Sequence, residues 1–330
     1  MNTYKESLID GLNTLLADPK VFLLGEDVEE PYGGAYTITK GMSTRFPGKV
    51  LNTPMSEQGF TGMGVGMALA GYKPIIEIMF GDFSTLIMDQ ILNHASKFVE
   101  GFEKELHLVV RDPMGGYRGY GATHSQSLEK LFVGLPHIAV ISPSVLHEPG
   151  ELLVKAMNLG VPVIFAENKL DYTRKMFRAE KIAETFEIKY HGGDFPIAEA
   201  GFPDETPELT LISYGGLIHP LLQMMYDLYM EEEVAVRLLD ISSLSPMDFD
   251  LIHSLVENDN KVFTVEEGHI PFGIGDGIIS HLAQRGMKCR FRSIGASQHI
   301  IGTSREAEAL ALPQIDDIKQ LILKSAESDG

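Results

Sequence analysis

Glu57 closes the short run Thr53-Pro-Met-Ser-Glu57 and is followed by small residues at Gly62, Gly66 and Ala70. Small residues four apart on a helix share one face and permit close approach of another element. A carboxylate at the mouth of such a seam would be shielded from water, and desolvation raises its affinity for a proton. The same residues would also suit a helix whose acid sits at its own N-terminal dipole and whose glycines merely face a core. Phe83 lies 26 positions after Glu57 in Phe80-Gly-Asp-Phe83, where an aromatic can cover a flat ligand or fill a core. His124 ends a segment holding Gly115, Gly116, Gly119 and Gly121, too rich in glycine for the interior of a helix or strand. A loop that delivers an imidazole beyond a sheet edge is a common way to build a binding site.

These residues need a scaffold, and the chain is long enough to build one. Its 330 residues fit two domains of ordinary size, with 44% hydrophobic and 22% charged residues, as in globular proteins. Apolar runs at Val21–Leu24, Pro74–Met79, Leu106–Val110, Ile138–Ser142 and Val161–Ala166 alternate with helical patterns near 57–71, 83–98, 125–133 and 147–158. Buried strands separated by helices indicate a doubly wound α/β domain with its ligand sites beyond the carboxyl ends of parallel strands. The pattern lapses after Asn168. A second series has strands at Leu209–Ser213, Val234–Leu239, Val262–Val265 and Cys289–Ser293, and helices near 216–230, 247–257, 276–285 and 314–325. The expected division is a first domain over 1–175, an extended linker over 176–206 and a smaller second α/β domain over 207–330.

A formal charge of −19 argues against binding a phosphate backbone, so no nucleic-acid partner is expected. Cys289 is the only cysteine, which excludes an internal disulfide and a cysteine-based zinc cluster. The apolar runs are shorter than a membrane span, and the start lacks a targeting pattern, so the expected location is cytoplasmic.

Glu57, Gly62 and Gly66 resemble in type and spacing the cofactor-activating signature of thiamine-diphosphate enzymes. Asp82-Phe83, Asp89-Gln90, Asn93, Lys97, Arg111-Asp-Pro-Met-Gly115 and His124-Ser-Gln-Ser127 follow in order. Together they resemble the beta subunit of the 2-oxo acid dehydrogenase component, the family of pyruvate, branched-chain 2-oxo acid and acetoin dehydrogenases, from about Leu8 to Pro313. The resemblance implies an N-terminal pyrimidine-binding, transketolase-like domain and a transketolase-type C-terminal domain. It implies that Glu57 bonds the aminopyrimidine ring of thiamine diphosphate, with Met55 and Phe83 also touching the cofactor. His124 would assist proton transfer as the acyl group passes to a lipoyl group.

The string Gly273-Ile-Gly275-Asp276-Gly277 contains the Gly-Asp-Gly that opens the diphosphate and magnesium motif of thiamine enzymes. The asparagine pair expected about thirty residues later is absent, so a turn before a helix is the better reading. Half an enzyme is therefore implied: an alpha-type chain would hold the magnesium ion, the cofactor would be shared, and two such pairs would form an alpha2beta2 assembly. A lipoyl-bearing acyltransferase is the implied acceptor. The family's monovalent-cation loop falls at Ala156-Met-Asn-Leu-Gly-Val-Pro162, where Leu159 and Val161 stand in place of Asp and Asn, leaving backbone carbonyls as the only ligands for potassium. The alternatives are a homologue that passes a short acyl or glyceryl-type unit to an acyl carrier protein or cleaves acetoin, and a non-catalytic assembly subunit.

Overall fold

The structure is a computed structural model that describes residues 3–327; Met1, Asn2 and Ser328–Gly330, at the outer ends of the two expected domains, lie outside it. The first helix, Tyr4–Leu16, begins with a reciprocal cap: Thr3 Oγ1 accepts from the Glu6 N–H at 3.2 Å, and the Glu6 carboxylate accepts from the Thr3 N–H at 3.1 Å. Its inner face, Tyr4, Leu8, Leu12, Leu15 and Leu16, is buried against the sheet that follows.

Thirteen strands build two sheets among the described residues. They are β1 (Val21–Gly25), β2 (Val50–Asn52), β3 (Lys73–Glu77), β4 (Val109–Met114), β5 (Ala139–Ile141), β6 (Val163–Asn168), β7 (Glu187–His191), β8 (Ile197–Gly201), β9 (Leu209–Ser213), β10 (Val236–Ile241), β11 (Ser243–Ser245), β12 (Lys261–His269) and β13 (Arg290–Ala296). The first sheet has the order β11-β5-β6-β4-β3-β1-β2, and β1 to β6 are mutually parallel within it. The second has the order β13-β12-β9-β10-β8-β7, parallel from β13 to β10 and antiparallel at β8 and β7. The chain is thus a two-domain α/β protein, each domain with helices packed on its sheet.

Several local expectations need correction. The stretch 176–206 is not a plain linker: β7 and β8 lie within it and complete the second sheet. β7 is an outer strand with mostly exposed residues, so it carries almost no apolar alternation to detect. The helix expected over 83–98 is a 3₁₀ segment Gly81–Ile87, a wide π turn Asp89–Ala95 and a short α-helix Ser96–Gly101. The helix expected over 125–133 is a single 3₁₀ turn, Glu129–Leu131. The strand expected to stop at Val110 continues to Met114, carrying Arg111 and Asp112 into the interior.

Arg111 can be buried because acids meet it from both neighbouring strands. Its guanidinium bonds Glu167 of β6 through Nε at 2.7 Å and Nη2 at 2.8 Å, and Nη1 bonds Glu77 of β3. Tyr172 Oη donates to Glu167 at 2.7 Å. The two carboxylates hold the guanidinium charged despite burial. Arg111 therefore rivets three central strands just below the edge where the functional residues gather.

Candidate active site

Five parallel strands deliver their next residues to one edge of the first sheet, as expected of a doubly wound fold. β1 leads to Glu26, β2 to the loop preceding Glu57, β3 to Phe80, Asp82 and Phe83, β4 to the loop ending at His124, and β6 to Lys169. The helix Glu57–Leu69 packs on β3 and against the turn Gly81–Ile87, which brings the Glu57 and Phe83 elements together.

Glu57 is the first residue of its helix and is partly buried rather than sealed. The expected seam of Gly62, Gly66 and Ala70 does not face the core of this chain. The buried stripe is Phe60, Thr61, Gly64, Val65 and Ala68, and the close approach falls at Gly64, where an added Cβ would lie 2.6 Å from Ile76 Cδ1. Gly66 faces open space, and at Gly62 an added Cβ would meet only the Gln90 side chain, at 3.0 Å. The glycine that touches the sheet, Gly64, belongs to the adjacent stripe of the helix.

Glu26 stands beside Glu57. Burial first, and then the negative charge of Glu57, push the Glu26 carboxyl above its usual range, and Glu26 Oε1 is a buried oxygen without a hydrogen-bond partner. Met55, in the loop before the helix, is 88% exposed.

Phe83 and His124 are in contact, with ring centroids 5.3 Å apart and nearly perpendicular planes. Phe80 lies 4.7 Å from the His124 ring and 6.1 Å from Phe83, and Tyr36 and Tyr120 extend this aromatic wall at 6.0 and 6.1 Å from Phe80. His124 Nδ1 is 3.0 Å from Thr123 Oγ1. His94, on the π turn, points back to the Asp89 carbonyl at 3.2 Å, while Asn93 links Asp89 to Lys97 by bonds of 2.9 Å each.

The glycine-rich loop is held by the second domain. Glu267 of β12 accepts from the Gly116 N–H and, at 3.0 Å, from Asn168 Nδ2. Glu308 accepts from the Gly119 N–H at 2.9 Å and from Ser125 Oγ at 3.0 Å, and Tyr117 Oη donates to the Pro313 carbonyl at 2.7 Å. Gly115, Gly119 and Gly121 have φ of 99°, 73° and 84°, a conformation costly for other residues. The Gly273–Gly277 string is a helix start: Glu266 accepts from the Ile274 and Gly275 N–H groups at 3.2 and 2.9 Å. At the loop Ala156–Pro162, the carbonyls of Ala156, Met157 and Gly160 accept from Leu159, His107 Nδ1 and Leu106.

Sequence reasoning passed over Glu26, Phe80 and Lys169. Each directly follows, or lies within three residues of, the carboxyl end of a parallel strand, and that rule alone would have singled them out.

Residues 4–175 match the family described as Transketolase, pyrimidine binding domain, and residues 198–318 match Transketolase, C-terminal domain. The Pyruvate dehydrogenase E1 component subunit beta-1, mitochondrial, of Arabidopsis thaliana is 32% identical over 94% of this chain and 86% of its own length. The Acetoin:2,6-dichlorophenolindophenol oxidoreductase subunit beta of Cupriavidus necator is 32% identical over 81% of this chain and 79% of its own. A solved structure, "Split gene transketolase, inactive beta4 tetramer", shares the fold with a TM-score of 0.72 at 19% identity, over 98% of this chain and 96% of that one. The fold and the site thus define a transketolase-type protein with a pyrimidine-binding domain. More closely, the chain belongs to the family of E1 beta subunits of 2-oxo acid dehydrogenases, which depends on thiamine diphosphate.

Proposed function

We propose that this chain, joined to an alpha-type subunit, decarboxylates a 2-oxo acid and passes the acyl group to a lipoyl domain. The observation that carries this reading is the gathering, at one sheet edge, of Glu57 at a helix start, the proton-retaining Glu26 beside it, and the wall of Phe80, Phe83 and His124.

These residues fit thiamine diphosphate. The orphaned, buried Glu26 Oε1 and the partly open Glu57 carboxylate offer acceptors for a protonated ring nitrogen, and Phe83 offers an aromatic face to a flat heterocycle. Glu57 would hold the proton on the pyrimidine nitrogen, with Phe83 and the loop residue Met55 against the ring. When bound, the cofactor supplies a nucleophilic carbon and an electron sink for decarboxylation. Glu26, uncharged more readily than an ordinary carboxyl, limits the repulsion that a second anion would impose on Glu57. His124, on its tethered loop, would donate and accept a proton at the acyl-transfer step.

The magnesium ion and the diphosphate are assigned to the alpha-type chain, because the one Gly-Asp-Gly string here has its helix start taken by Glu266. Two such pairs would form an alpha2beta2 assembly, with the outward face of Gly62, Gly66 and Ala70 available to it. A potassium ion at Ala156–Pro162 is not part of this reading: Leu159 and Val161 bring no ligand, and His107 is bonded to the Met157 carbonyl. A cytoplasmic location accords with the single cysteine; among the described residues no helix is long and apolar enough to cross a membrane.

The test is turnover by the complex of this chain with its alpha-type partner, over 2-oxo acids and acetoin, the latter because of the acetoin-named relative. Glu57→Gln and Glu57→Ala are expected to lower decarboxylation by at least about 100-fold with unchanged thermal unfolding. Decarboxylation retained in Glu57→Ala would refute the assignment, and no turnover of any substrate by the intact complex would favour the assembly-subunit alternative.

A further inference from the structure

Lys169 lies directly beneath the His124 loop and has no part in the chemistry above. It follows β6 and has 0% of its surface exposed, a rare setting for a lysine. Its ammonium donates to the backbone carbonyl of His124 at 2.6 Å and sits 5.6 Å over the Phe80 ring, the same ring that meets the His124 imidazole at 4.7 Å. The Lys169 backbone is fixed to the same loop at two more points. Its N–H donates to the Met114 carbonyl at 3.0 Å, and its carbonyl accepts from Arg118 Nη1 at 3.1 Å. One residue thus grips the loop at its start, its middle and its end.

The loop needs such a grip. Three of its glycines are in the left-handed region, so little in its own backbone fixes where the imidazole stands. The surroundings also call for a cation. Asp82 from the turn after β3, Asp112 from β4, Glu129 from the 3₁₀ turn Glu129–Leu131, itself pushed up to about 8 by burial, and Glu267 from β12 face the ammonium, with Arg118 from the loop as a like charge. Asp82 Oδ1 accepts from Gln126 Nε2 at 2.8 Å, two residues beyond His124, while its Oδ2 is buried without a partner. Burial lowers the Lys169 ammonium to about 8, within reach of an assay, and holds the Asp112 carboxyl well above its usual range.

We propose that Lys169 is a positioning residue for His124: its buried ammonium ties the His124 carbonyl to the Phe80 ring, sets the imidazole against the Phe80 and Phe83 wall, and offsets the acids packed under the loop. The inference rests on the acyl-transfer role of His124 and deepens it. Because Lys169 acts on His124 and not on Glu57, its loss should separate the two half-reactions. Decarboxylation read with dichlorophenolindophenol as electron acceptor depends on Glu57; acylation of a recombinant lipoyl domain depends also on His124.

In the complex with the alpha-type chain, Lys169→Met is expected to lower lipoyl-domain acylation by about 10- to 100-fold while decarboxylation stays within about threefold, since small misplacements of a catalytic group carry penalties of that size. Lys169→Arg, which keeps the charge and a donor, is expected to restore part of the loss. It should also remove an alkaline fall in acylation near pH 8, since the guanidinium does not titrate there. Acylation by Lys169→Met at the wild-type rate, or an equal fall in both half-reactions, would overturn the proposal. His124→Ala is the control: if it leaves acylation intact, the role of His124 fails first. If it impairs acylation and Lys169→Met does not, the positioning role alone fails. Should Lys169→Met not fold, the pH profiles of Lys169→Arg and Glu129→Gln decide together: an alkaline limb that Lys169→Arg leaves unmoved, or that Glu129→Gln alone removes, counts against the proposal.

Discussion

His147 shows how a single buried side chain couples this protein to pH. Its Nε2 is 3.1 Å from the Pro196 carbonyl, which can only accept, so Nε2 carries the hydrogen. Nδ1 is then free to accept, and it faces Asp240 at 3.2 Å, with Ser144 bonded to the same carboxyl group. Burial lowers His147 from 6.5 to about 4 and holds the Asp240 carboxyl well above its usual range. Between these two values the unfolded chain binds the His147 proton and the folded chain does not. The His147 contribution is therefore complete above pH 6.5 and lost as the pH falls towards 4, about 3 kcal/mol in all. Asp240 acts in the opposite sense, costing stability as the pH rises. His147→Gln is expected to flatten the acid side of the stability curve over that window, as measured by urea unfolding from pH 4 to 7. Identical slopes in wild type and variant would show that the imidazole does not carry the effect. Glu57, Phe83 and His124 stand out in the sequence as candidates because their spacing and the glycines before His124 mark them. His147 does not, because the partner that defines it lies 93 residues away at Asp240; Lys169 is marked only by its place directly after β6, and its bond to the His124 carbonyl, 45 residues away, leaves no trace in the sequence.

At the scale of elements, the position of a glycine decides its role, and the spacing of glycines does not. Gly150 opens the helix Pro149–Met157 where it crosses Tyr4–Leu16, and a Cβ there would lie 1.9 Å from the Ser7 carbonyl oxygen. Its neighbour across the contact is Gly11, whose added Cβ would lie 2.6 Å from the Gly150 backbone. Alanine at 150 gains about 0.5–1 kcal/mol from backbone entropy but forces two helices apart, so a net loss of about 2 kcal/mol or more is expected. Gly66→Ala, on an open and exposed helix face, keeps only the gain and should stabilise the isolated chain by about 0.5–1 kcal/mol. Chemical denaturation of both variants checks the contrast, and equal effects would contradict it. Most strands and the longer helices were legible because their apolar periods are clean. The segment 83–98 was not: its periodicity suited a single helix, but Phe80, Asp82 and Phe83 are committed to the site edge, and the chain accommodates them with a 3₁₀ turn and a π turn. β7 and β8 were hidden for the opposite reason: β7 is an exposed outer strand, and β8, though largely buried, is built from Ile197-Ala-Glu-Ala-Gly201, whose small residues give no run of large apolar side chains.

At the scale of the molecule, the first domain supplies the residues that would do chemistry and the second holds one of them in place. Glu267, Glu308 and the Pro313 carbonyl, all in the second domain, are hydrogen-bonded to the loop between Gly115 and Ser125. The alternating series in the sequence announces two domains but cannot reveal this clamp, because a carboxylate on β12 looks like any other until its partner N–H is known. The domains are joined more literally still. β11, encoded in the second half of the chain, pairs antiparallel with β5 and forms the last strand of the first sheet. A polypeptide ending before Ser243 would present Ala139–Ile141 as an unzipped, fully apolar border with its amide and carbonyl groups ready to template onto another molecule. Residues 1–175 made alone are thus expected to self-associate, seen by light scattering, whereas the same fragment mixed with residues 176–330 should recover a discrete, well-behaved particle.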